Sequence, residues 1–196
     1  KDRKWGGLNF EKLPYIRPET MIRLFKYYIA GVDWLTERLG MIVSWLTAFL
    51  VLLIGYDVIM RYFFNTSSAG IYELEWHLFS MIFLLGAGYA LKHDRHVRVD
   101  VFYHRLSKKQ KAWINLIGTL LFLVPLSLII IKSGFDFAAN SFRLQETSPD
   151  PGGLPARFLI KSVIPVGFAF VFLQAMAWIM KSIITLTDRS PTTPIV

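Results

Sequence analysis

Four stretches of this chain carry no charge and are predominantly apolar: Leu39–Tyr56, Trp76–Leu91, Ala112–Ile131 and Ser162–Met180. Crossing a hydrocarbon core takes roughly 20 apolar residues at helical rise, and these runs approach or reach that length. Lipid offers the backbone no water to bond, so spanning segments are helices or closed barrels. Runs of this length without period-two alternation are helices. Counting the apolar residues that adjoin each run, the sequence predicts spans near 40–62, 72–91, 112–132 and 160–181. Composition agrees, with 54% hydrophobic residues against 18% charged ones, a poor balance for a water-soluble domain of this size. The expected fold is an all-α integral membrane protein with four transmembrane helices.

The net charge of +8 fits nucleic acid, anionic lipid or membrane topology, and the placement of the cations decides among these. Eight Lys or Arg precede the first span and seven lie between the second and third (Lys92, Arg95, Arg98, Arg105, Lys108, Lys109 and Lys111). Between Phe63 and Tyr72 there are none, and 136–157 holds only Arg143 and Arg157. Such sorting is the positive-inside pattern, which puts both termini and the 92–111 loop in the cytoplasm and calls for no nucleic-acid partner. The first 38 residues, basic and without a long apolar run, do not fit a cleavable signal. Three regions follow: a basic cytoplasmic segment 1–38, a membrane domain 39–182 and a cytoplasmic tail 183–196.

Within the first segment, Ile22, Phe25, Tyr28, Val32, Leu35 and Leu39 share a helical face, which predicts an amphipathic, interfacial helix. A plain extension of the first span is the alternative, with Gly31 and Gly40 as the points of bend or end. "SKKQ" (Ser107 to Gln110) fits a capping box opening the third span, and Pro125 predicts a kink in it. Gly86 and Ala90 have the spacing of close helix packing. "ETSPDPGGLP" (146–155) is too rich in turn residues for regular structure.

Candidate chemistry is sparse. "HDRHVRVD" (93–100), with His104 beyond it, offers histidines at possible metal-ligand spacing, but seven surrounding cations oppose a divalent ion. A loop that sets topology and touches lipid through Arg95, His96, Arg98, Asp100 and Arg105 is the better account. His77 lies one turn inside the second span, where a haem anchor would place a ligand, yet the other three histidines fall in the 92–111 loop. Asp57, Arg61, Glu73 and Glu75, with Trp76 beside them, flank the short connection between the first two spans. Asp57 and Arg61 are four apart and pair on a helix, so the group reads as anchoring or as a partner interface rather than an ion relay. None of the four uncharged runs holds an acidic residue at the midplane, where a self-sufficient transporter needs a coupling site. No phosphate-binding loop, nucleophile elbow or poised carboxylate pair argues for an enzyme, and no cofactor is expected. The chain has no cysteine, which excludes disulfides and thiolate sites.

One stretch carries a family likeness. The RYxFN end of the first span (Arg61, Tyr62, Phe64, Asn65) is followed by the acidic start of the second (Glu73, Glu75) and its body with Phe83, Gly86 and Ala87. H-x-R-V-D (His96, Arg98, Val99, Asp100) and "RLS" come next. In that order the motifs resemble the small membrane subunit, the DctQ type, of tripartite ATP-independent periplasmic (TRAP) transporters. The resemblance implies a non-catalytic subunit in a bacterial inner membrane, bracing a large membrane subunit that carries the substrate and sodium sites. It also implies a periplasmic binding protein that delivers an organic anion. Two other classes fit the residues alone: a haem-bearing respiratory anchor, and a free-standing oligomeric channel or exporter.

Overall fold

The computed structural model describes residues 18–93 and 106–187, and within them every regular element is helical. Four helices are long and apolar enough to cross a membrane. We number them α1 (Pro18–Phe63), α2 (Ala69–Lys92), α3 (Lys108–Arg143) and α4 (Phe158–Thr187). The predicted spans near 40–62, 72–91, 112–132 and 160–181 all fall inside these helices, and three of the four helices outrun them substantially.

α1 is one continuous helix of 46 residues, so the predicted N-terminal helix runs into the first span without a break and neither Gly31 nor Gly40 ends it. Gly40 serves packing instead: a Cβ there would stand 2.4 Å from the ring of Tyr89 on α2. The helix stops at Phe63, where Asn65 takes a left-handed backbone (φ 49°) and Thr66 donates its N–H back to the Met60 carbonyl. Five residues, 64–68, separate it from α2.

α3 opens on the predicted capping box. Ser107 accepts the Gln110 N–H, and the Gln110 side chain accepts the Ser107 N–H. Pro125 has no N–H to continue the ladder, and the turn just before it, Thr119–Leu123, widens into a π-helical turn. α3 then continues past Lys132 to Arg143, because Ser127, Gly134, Ala138 and Ser141 form a buried small-residue stripe against α4.

α4 is the centre of the assembly: α1, α2 and α3 all pack on it, while α1 also runs antiparallel along α2. Small residues set these contacts. Gly88 lies against the backbone of Phe170, and Gly86 faces Val43 of α1. Leu91, Val171 and Ala175 form the buried core, with Ala87, Leu123, Val124 and Trp178 packed around it. Many large apolar side chains are exposed, Trp45 at 78% and Phe122 at 74% among them. In water that surface is untenable; in lipid it is the expected one.

Candidate partner interface at the ends of the helices

At one end of the helices, the 64–68 turn and the 144–157 connection meet around α2's first turn. The Glu73 carboxylate there is only 2% exposed and is fully engaged. It accepts the Ser148 hydroxyl (2.5 Å), the Leu154 N–H (2.6 Å) and the Arg157 guanidinium (2.9 Å). Glycine permits this closure, since a Cβ at Gly153 would lie 2.3 Å from Ser148 Oγ and 2.9 Å from Glu73. Glu146 makes the second anchor, accepting from Ser141 Oγ (2.7 Å) and from the Lys161 ammonium. The Lys161 ammonium, and after it the Ser141 hydroxyl, hold the Glu146 carboxyl below the ordinary glutamate range. A turn-rich segment thus becomes a fixed platform on α2 and α4.

Asp57 and Arg61 form the expected pair one helical turn apart, with the aspartate buried and the arginine side chain 53% exposed. Glu75 lies near both, and its Oε1 is sealed from solvent without a hydrogen-bond donor. Trp76 is partly exposed beside it and stacks on His77, whose Nδ1 lies 2.5 Å from the Glu73 carbonyl. Of the predicted interface residues, Asp57, Arg61 and Glu75 gather on the α1–α2 pair, while Glu73 turns inward to hold the 144–157 platform. Arg95, His96, Arg98, Asp100 and Arg105 lie outside the described residues.

At the opposite, basic end sits a network that the sequence reading missed. Gln174, fully buried on α4, accepts the Thr36 hydroxyl at 3.1 Å and donates to Asp33 at 3.1 Å. Lys181 pairs with the same aspartate at 2.8 Å, and Lys92 of α2 bonds Glu37 (2.6 Å) and the Asp33 carbonyl (3.0 Å). His93 Nε2 lies 3.0 Å from Glu37. The one visible signal was Gln174 itself, an amide inside an otherwise apolar run, where a partner is obligatory.

Four spanning helices with outward apolar faces, and polar groups at their ends largely spent on the chain's own elements, define a polytopic membrane protein. The family model for tripartite ATP-independent periplasmic transporters, DctQ component, matches residues 50–184, well over half of the chain. The chain belongs to this family. A Haemophilus influenzae protein named for a TRAP transporter small permease is 30% identical over 107 residues, covering 55% of this chain and 66% of the relative. The chain therefore spans a little under two thirds of that relative's length.

Proposed function

We propose that this chain is the non-catalytic small permease subunit of a sodium-coupled, binding-protein-dependent TRAP importer of an organic anion. In this reading it sits in the bacterial inner membrane with both termini cytoplasmic and braces the large membrane subunit, which carries the transport site. One observation supports the bracing role above the rest: the polar groups of Glu73, Glu146, Asp33 and Gln174 lock the chain's own elements together. A rigid support needs such locks, whereas a moving coupling site needs ligands free to exchange.

Asp57, Arg61, Glu75 and Trp76 are the contact we assign to the large subunit. Burying a carboxylate oxygen without a donor is costly, and a donor from a partner helix at Glu75 removes that cost. The fixed 144–157 platform, on the same end, is the surface we assign to the periplasmic binding protein. The test is co-purification of the co-expressed large subunit with tagged chain. Retention by the parent and loss in Asp57→Asn/Glu75→Gln supports the assignment; equal retention by both defeats it. A haem absorbance in the purified chain would overturn the transporter reading altogether.

A further inference from the structure

The first five turns of α1 sort their charges by face. Asp33 and Glu37, the acids of residues 20–39, face α4 and α2, where Lys181 and Lys92 neutralise them. The cations Arg23, Lys26 and Arg38 are exposed, and among the described residues none of them pairs with an acid. They share their face with the exposed rings of Tyr27 and Trp34, and the Arg38 guanidinium lies 5.5 Å from the Trp34 ring centre. Arg23, Tyr27, Trp34 and Arg38 follow helical spacing, and the same stripe continues without a break into the exposed apolar side chains of Met41 and Trp45. One helix face therefore passes from a hydrocarbon-facing band to a band of cations and amphipathic aromatics.

Depth comes from α4. The Tyr28 hydroxyl donates to the Leu173 carbonyl, and Thr36 donates to Gln174, so residues eight apart on α1 reach neighbours on α4. Helices side by side do not do this; α1 crosses α4 obliquely here. The contacts run from Leu173 to Lys181, over the last two turns of the uncharged run of α4 and the lysine that closes it. At 1.5 Å per residue, the 46 residues of α1 measure about 69 Å, far beyond the 40–45 Å of a whole bilayer. An oblique arm pinned at this depth keeps its free face at the headgroups instead of standing clear of the membrane.

We infer that residues 20–39 of α1 form an anionic-phospholipid-binding arm, with Arg23, Lys26 and Arg38 on lipid phosphates and Tyr27 and Trp34 seated at headgroup level. Charge complementarity and continuity with the lipid-facing stripe select this occupant over a partner protein. Guanidinium groups suit the phosphates because they bond two oxygens at once.

The chain has no cysteine, so an Ala30→Cys variant carries a single dye on the arm. The full chain is reconstituted in phosphatidylcholine vesicles at low salt, and quenching of the dye by spin-labelled phosphatidylglycerol is compared with quenching by spin-labelled phosphatidylcholine. The expected result is a clear preference for phosphatidylglycerol that weakens on the order of fivefold for each cation replaced by Gln. Arg23→Lys and Arg38→Lys retain it, as does the control Lys108→Gln/Lys109→Gln. Equal quenching by the two lipids, or none by either, overturns the inference. Loss of quenching by both lipids once the large subunit is bound also overturns it, because a protein would then be the occupant. None of the vesicle measurements depends on which transporter the chain serves.

Discussion

Replacing Gly167 with alanine probes the tightest approach of a helix glycine to a neighbouring helix backbone among the described residues. A Cβ there would meet the Leu84 carbonyl oxygen at 2.8 Å and its carbon at 3.0 Å. Both are main-chain atoms held in α2, so no side chain can swing aside and α2 and α4 must part. Overpacking of this kind costs about 1–3 kcal/mol. The same substitution at Gly55, where nothing lies within 4 Å of the added methyl, removes a helix glycine at no steric expense and stabilises by up to about 1 kcal/mol. Gly88, with its nearest neighbours at 3.5 Å, falls between them. Unfolding of the purified chain in mixed micelles, followed by helical circular dichroism, reads the order directly: Gly167→Ala least stable, Gly88→Ala near the parent, Gly55→Ala most stable. If Gly167→Ala unfolds no more readily than Gly55→Ala, the proposed α2–α4 packing is wrong.

Three further outcomes follow from the polar locks. Glu73→Ala strips the platform of its main acceptor, so limited proteolysis should begin to cut within 147–153, while the parent resists. Because Lys161 lowers the folded-state pKa of Glu146, its contribution is whole above the ordinary glutamate value of about 4.3. It is lost as pH falls from there through the lowered value. A dye on the 144–157 segment should report loosening in that acid window, and Glu146→Gln should weaken the pH dependence, leaving the share carried by the Glu73 carboxylate, while loosening the segment at neutral pH. Gln174→Leu leaves the Thr36 hydroxyl without its acceptor and Asp33 without one of its donors. It should destabilise the chain by about 1–3 kcal/mol in the same unfolding assay, although leucine is the more apolar residue.

Lipid imposes a length and a ban on charge, and for that reason the number and rough position of the four long apolar helices could be read from the sequence. The overruns could not. α1 passes through Gly40 because Tyr89, 49 positions away, fills the space a side chain would take. α3 passes Lys132 because Gly134, Ala138 and Ser141 sit against α4, a contact no local pattern states. The Asp57–Arg61 pair was legible since both residues lie on one helix a turn apart. Glu73 and Glu75 looked alike in sequence, two residues apart, yet Glu73 meets Ser148, Leu154 and Arg157 from a connection 75 to 84 positions further on. Only the fold separates the acid that braces the chain from the one left with an open oxygen.

The central claim, that this chain supports a transport site located in another subunit, is tested most directly by uptake into vesicles. The chain alone, the large subunit alone and the two together are compared, each with the binding protein, its organic anion and an imposed sodium gradient. Our account predicts uptake with both subunits present and none with this chain alone. Uptake by this chain alone, or undiminished uptake by the large subunit alone, would contradict it.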